Sequence, residues 1–143
     1  MKREIACRPI GTVKRTEGGI SVLEVFPEFC EGLNRLTTFS HILVLYWFHE
    51  RDTENGRRIL RVRPKKHPGA PLVGVFASRS PDRPNPIGLS VVRLLGRDGC
   101  RLEVEGLDAF EGTPVLDIKP YIPRADAISE ARAPEYTLEG PPT

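Results

Sequence analysis

His41-Ile-Leu-Val-Leu-Tyr-Trp-Phe-His49 holds the longest apolar run of the chain, Ile42 to Phe48, and its reading decides the fold. Side chains on a strand alternate with period two, so His41, Leu43, Leu45, Trp47 and His49 share one side and Ile42, Val44, Tyr46 and Phe48 the other. Both sides are apolar. That pattern predicts a central strand covered on both faces, as in a closed barrel or at a subunit interface. The run is also far shorter than the roughly 20 residues that cross a bilayer, so it does not predict a transmembrane helix.

Working outward, 13 glycines and 14 prolines punctuate short runs of Val, Ile, Leu and aromatic residues, an all-β rhythm. Strands are predicted at Ile10–Lys14, Ile20–Val25, Ile42–His49, Arg58–Arg63, Leu72–Ala77, Leu89–Leu95, Arg101–Leu107 and Val115–Lys119. Gly18-Gly19, Asn55-Gly56 and Asp98-Gly99 can supply the positive φ angles of tight hairpins, which implies antiparallel pairing. One or two helical turns are expected over Pro27–Leu33, opened by a proline. From Pro120 the sequence loses its β rhythm and reads as an irregular arm that wraps a neighbour. The predicted architecture is all-β: a small antiparallel β-barrel with one short helix, a barrel domain over 1–123 and a dependent C-terminal arm over 124–143.

A chain of 143 residues with 39% hydrophobic and 28% charged residues is sized for one globular domain. Met1-Lys2-Arg3-Glu4 lacks an apolar stretch behind its charges, so no secretory leader is predicted and a cytoplasmic location is expected. Cys7, Cys30 and Cys100 are odd in number and far apart, which predicts buried free thiols rather than a disulfide framework or zinc ribbon. The net charge of +2 is too small to announce nucleic acid. Its distribution is more telling, since Arg57, Arg58, Arg61, Arg63, Lys65, Lys66 and His67 fall in one segment without an acid among them. Two readings stay open there, a strand edge protected by charge and a contact to phosphates.

No Gly-x-Gly-x-x-Gly after a strand, Walker loop or Gly-x-Ser-x-Gly elbow is present, which sets aside the usual nucleotide folds and the α/β-hydrolase triad. His41, His49 and His67 lack metal-ligand spacing, so no metal is expected. The informative segment is Gly74-Val-Phe-Ala-Ser-Arg-Ser-Pro-Asp-Arg-Pro-Asn-Pro-Ile-Gly-Leu-Ser90. Pro81, Pro84 and Pro86 make it a stiff shelf carrying Ser78, Arg79, Ser80, Arg83 and Asn85, polar groups with little entropy left to lose on binding. Further on, Asp117 and Lys119 share one face of a strand while Leu116 and Ile118 occupy the other.

Phe39-Ser-His-Ile with Tyr46-Trp-Phe-His49, the segment from Gly74 to Ser90, and Gly112-Thr-Pro-Val-Leu-Asp-Ile-Lys-Pro-Tyr121 together resemble the TsaA-like family of TrmO proteins, formerly YaeB or VirR. The resemblance runs from Ile10 to about Pro123. It implies a β-barrel methyltransferase that uses S-adenosyl-L-methionine, forms a homodimer and holds the cofactor near the interface. The reaction implied is methylation of the exocyclic N6 of the threonylcarbamoylated adenosine that follows the anticodon of tRNA. Matched to the family's motifs, His49, Glu50, Arg79, Leu89, Leu107, Asp108, Ala109 and Phe110 fall in the cofactor pocket. Asp117, Lys119, Tyr121 and Arg83 fall at polar signature positions, candidates for the chemistry and for orienting the substrate. The resemblance raises Arg57, Arg58, Arg61, Arg63, Lys65 and Lys66 as RNA contacts. Two departures from the family pattern bear on what is expected: Lys14 to Gly19 passes quickly to the next strand, where the family often carries a longer segment with a Pro-x-Gln-like element of the cofactor site, and the sequence stops near the core, where long members carry an extension that helps grip tRNA. A binding module that senses the cofactor without catalysis, and a methyltransferase for another RNA or a small molecule, remain alternatives.

Overall fold

A computed structural model describes residues 3–142, so the Met1-Lys2 end of the leader reading and Thr143 of the arm lie outside it. The strands are β1 (Gly11–Glu17), β2 (Ile20–Val25), β3 (His41–Trp47), β4 (Arg61–Val62), β5 (Val73–Gly74), β6 (Ile87–Asp98), β7 (Arg101–Glu105) and β8 (Pro114–Pro120). Two short helices, α1 (Glu54–Arg58) and α2 (Pro123–Asp126), and five 3-10 turns complete a mostly β chain, against the single short helix expected. The chain folds as two compact units. One comprises the residues up to Trp47 with Ile87–Ile122, the other Phe48–Pro86 with the chain from Pro123 on.

In the first unit all strand pairs are antiparallel, in the order β1-β2-β7-β6-β3-β8. The sheet closes on itself where Gly11 pairs with Val115 and Thr12 with Pro114. Alternation sends Val13, Leu23, Val25, Ile42, Val44, Tyr46, Val92, Leu102, Val104 and Val115 inward, where all are buried. Closure demands a close approach at Gly11, where a Cβ would lie 2.1 Å from the Glu24 carbonyl oxygen. β3 is central, hydrogen-bonded to β6 on one edge and to β8 on the other. Its second face is only partly covered: Leu43, Leu45 and Trp47 are half-buried.

Three local expectations are corrected. β3 ends at Trp47: the Phe48 amide still reaches the Pro86 carbonyl at 2.7 Å, but Pro86 has no amide to return the bond, and His49 opens a 3-10 turn instead of extending the strand. Arg58–Arg63 is not one strand, since Thr53 caps α1 by accepting from the Gly56 amide at 3.0 Å, which spends Asn55-Gly56 in a helical turn and leaves β4 two residues long. Leu72–Ala77 likewise shrinks to β5 followed by a 3-10 turn over Val75–Ala77. Pro27–Leu33 is helical over the expected range, in 3-10 form.

The cysteine expectation is also corrected. Cys30 and Cys100 form a disulfide with Cα atoms 5.3 Å apart, and Cys7 is exposed. A separation of 70 positions in sequence hides what the sheet brings together: the Val25 amide donates to the Cys100 carbonyl at 2.9 Å, seating the β6–β7 turn beside the chain that leads to Cys30.

In the second unit, the C-terminal stretch packs on its own chain. The His67 ring bonds the Glu139 carbonyl through Nδ1 at 2.9 Å and meets Tyr136 edge-on at 6.2 Å. Gly140 (φ +84°) passes so close that a Cβ would fall 1.9 Å from the Lys66 carbonyl oxygen.

Candidate active site

Asp117 owes its orientation to a bulge. Tyr46 pairs with Val115, but Leu45 pairs with Asp117, so Leu116 is an extra residue that shifts the phase of β8. Val115 points inward at 1% exposure, and regular alternation would send Asp117 inward too. The bulge instead sets Asp117 in the outer row of the sheet with Leu45 and, across β3, Leu89, which is 48% exposed. Asp117 and Leu89 are thus two strand spacings apart, about 10 Å. Lys119 stands in the next outer row, and its ammonium pairs with Asp117 Oδ2 at 3.2 Å, while Oδ1 accepts the Ile118 amide at 2.9 Å. Tyr121 lies four residues beyond Asp117, about 13 Å along an extended chain. There it meets His41 edge-on at 6.4 Å, so Asp117 and Tyr121 do not converge on one atom.

The Leu107–Phe110 segment is a fixed loop over the same unit. Gly106 (φ +97°) and Gly112 (φ +85°) turn its two ends, and their amides bond to the Gly19 and Val13 carbonyls at 3.0 and 2.7 Å. Leu107 is buried as a plug. Tyr46, itself buried, reaches from the core to the loop: its hydroxyl donates to the Asp108 carbonyl at 3.0 Å and bonds Ser90 Oγ at 3.1 Å. This leaves Asp108 exposed, Ala109 half-buried and the Phe110 ring 70% exposed. Sequence reasoning placed Tyr46 only as a strand residue. Its role as a strut comes from the fold.

In the second unit the proline-rich shelf is held by arginines. Arg83 Nη1 donates to the Ser78 and Ser80 carbonyls, each at 3.0 Å, so this candidate braces its own loop. Arg57 bonds the Pro84 carbonyl at 2.8 Å, Asn85 at 3.2 Å and Asp52 at 3.4 Å, and Arg51 pairs with Asp82 at 3.4 Å. Gly56 has no room for a side chain there: a Cβ would sit 2.8 Å from the Arg51 carbonyl oxygen. Arg79 is different, exposed and without a side-chain partner among the described residues. His49 and Glu50 sit exposed on their 3-10 turn.

The basic cluster divides the same way. Arg57 is spent on the shelf, Arg63 donates to the Ala70 carbonyl at 3.0 Å, and Arg58 pairs with Glu54. Arg61 and Lys65 are exposed with no side-chain partner among the described residues. Lys66 is exposed beside the C-terminal turn.

A cavity of about 390 Å³ opens in the first unit, lined by Ile10, Val25, Phe29, Leu33, Leu36 and Ile118 with Glu28 and Asp117. Asp117 is the only sequence-derived candidate on its wall. Among the described residues no three His, Cys, Asp or Glu side chains gather as a metal site, and no helix is long and apolar enough to cross a membrane.

The closed antiparallel sheet of the first unit, with Asp117 and Lys119 on its outer side, defines a mostly β domain, unlike a doubly wound nucleotide fold. Residues 8–127 match the model of the tRNA-methyltransferase O N-terminal domain, and the chain belongs to that family. It is 43% identical over 119 residues to a Methanocaldococcus jannaschii protein described as a probable S-adenosyl-L-methionine-binding protein, covering 83% of this chain and 94% of that one. An Archaeoglobus fulgidus protein of the same description is 50% identical over 113 residues, which are 77% of this chain but 28% of that one. A crystal structure of TrmO superposes with a TM-score of 0.72 at 38% identity, covering 91% of this chain and 63% of that one. TrmO from Pseudomonas aeruginosa superposes at 0.70 with 36% identity, covering 90% and 61%. The chain therefore spans less than two thirds of the solved TrmO chains it resembles.

Proposed function

We propose that this chain is an S-adenosyl-L-methionine-dependent methyltransferase acting on tRNA, at N6 of the threonylcarbamoylated adenosine that follows the anticodon. The observation that carries the reading is the bulge in β8, which puts the Asp117 carboxylate in one outer row with Leu89. The residues of each unit suit such a cofactor: in the first, Phe110 and Leu89 offer exposed apolar surface for an adenine ring and Asp108 is exposed, and in the second, Glu50 and Arg79 are exposed charges. His49, Leu107 and Ala109 complete the set matched to the family.

When bound, the cofactor supplies an electrophilic methyl group on a sulfonium. An exocyclic adenine amine is a poor nucleophile because its lone pair is delocalised into the ring, so positioning must supply much of the rate. Asp117 would accept the single N6–H, orient the nitrogen and take up that proton as the nitrogen gains the methyl group and the demethylated cofactor leaves as a neutral thioether. Lys119, already paired with Asp117, holds that carboxylate in place. Arg83 acts through the shelf it braces, and Tyr121, too far along β8 to share an atom with Asp117, orients substrate further out. Arg61, Lys65 and Lys66, with Arg57, Arg58 and Arg63 contributing charge, meet the RNA backbone. A cytoplasmic setting follows from such a substrate.

The test is incubation with labelled S-adenosyl-L-methionine and total tRNA, with and without the threonylcarbamoyl group, followed by nucleoside mass spectrometry. Methyl at N6 of the modified nucleoside alone is the expected result. A second reading, a cofactor-binding module without catalysis, draws on the engagement of both Asp117 oxygens by Lys119 and the Ile118 amide. Cofactor binding without transfer to any RNA would favour it.

A further inference from the structure

We propose that Phe76 is a stacking platform for an unpaired RNA base, with Arg61, Lys65 and Arg79 as its phosphate contacts; the inference rests on the RNA reading above. Phe76 is 79% exposed, more than any other aromatic ring among the described residues. An isolated apolar ring at the surface is ordinary, but this one is held out by rigid neighbours. Val75, 1% exposed, anchors the turn from below, and its amide bonds the Leu60 carbonyl at 3.0 Å. On the other side Ser78 Oγ donates to the Val75 carbonyl at 2.9 Å, and Arg83 clamps the Ser78 carbonyl at 3.0 Å. A turn whose backbone is fixed in this way has little entropy left to lose when a base lies on the ring it carries.

Cations without partners among the described residues flank it in the sheet and in the sequence. Arg61 stands directly opposite Gly74, two residues before Phe76, and Arg79 follows three residues after. Both guanidinium groups, like the Lys65 ammonium, lack side-chain partners among the described residues. Three of the four carboxylates between Phe48 and Pro86 are already paired, Asp52 with Arg57, Glu54 with Arg58 and Asp82 with Arg51, and the fourth, Glu50, is exposed. Leu60 and Leu72, 61% and 55% exposed, extend the apolar surface beside β4 and β5. An exposed aromatic among unpaired cations is the chemistry that holds single-stranded nucleic acid, in which every base has a face to stack and every phosphate a charge.

The probes are a labelled anticodon stem-loop RNA and a fully paired duplex of the same stem, titrated against the whole chain at several salt concentrations. Phe76→Ala should weaken stem-loop binding on the order of tenfold, leave duplex binding and the salt slope unchanged, and be rescued by Phe76→Trp. Arg61→Ala should instead lower the salt slope by about one unit for both RNAs. Wild-type binding of the stem-loop with Phe76→Ala binding equally well overturns the platform and spares the RNA reading. No wild-type affinity for either RNA overturns both. Loss of self-association in Phe76→Ala without loss of RNA affinity overturns the platform and makes the patch a contact between copies.

Discussion

Tyr46 shows how one hydroxyl can set a binding loop. Its aromatic ring belongs to the core, and its oxygen ties the Asp108 carbonyl and Ser90 Oγ to β3. Tyr46→Phe keeps the packing and leaves the loop carbonyl without that donor. Cofactor affinity measured by calorimetry should fall several-fold while thermal stability drops by about 1 kcal/mol; an unchanged affinity would reduce Tyr46 to a core residue. Asp117 makes the complementary case. If its carboxylate orients the amine in the transition state only, Asp117→Asn should cut turnover by at least tenfold at saturating cofactor with cofactor affinity nearly unchanged. Full turnover in that variant would end the orienting role.

At the scale of elements, two devices set the geometry. The bulge at Leu116 rotates the outer half of β8 so that a polar pair, Asp117 and Lys119, faces outward while Ile118 pairs with Val44 on the inner face. The Cys30–Cys100 bridge ties the Pro27–Leu33 segment, one wall of the cavity, to the β6–β7 turn across 70 residues of sequence. Closing so long a loop restricts the unfolded chain strongly, so Cys100→Ser should lower stability by about 2–4 kcal/mol. Urea unfolding with and without reductant measures it: the wild type should lose the same amount on reduction, and the variant nothing further.

For the molecule as a whole, the outer face of β3 and β6 is the feature that invites a second copy. Leu43 pairs with Val91, Leu45 with Leu89 and Trp47 with Ile87, and on β6 these side chains are 50%, 48% and 38% exposed. A closed symmetric pair centred on Val91 would bring the same stripe of its partner against it, with Leu89 at the edge of the contact beside the cofactor. Light scattering is expected to give a dimer mass at micromolar concentration, and Val91→Glu should shift it to the monomer. A wild-type monomer would remove the dimer from the functional reading.

Period-two alternation and turn glycines were enough to read an antiparallel, mostly β chain. The Phe39–His49, Gly74–Ser90 and Gly112–Tyr121 motifs were enough to read its family. These are local signals: a strand buries one face whatever its neighbours, and a motif is contiguous in the chain. What only the tertiary structure decided is every question that depends on a partner distant in sequence. The register between β3 and β8 inserted the bulge that turned Asp117 outward, against the alternation its own strand displays. The Gly56 amide at Thr53 made a helix of an apparent hairpin turn. The carbonyls of Ser78, Ser80 and Pro84 claimed Arg83 and Arg57, leaving Arg79 and Arg61 free, because a guanidinium settles where acceptors converge in space and no residue type announces that in advance.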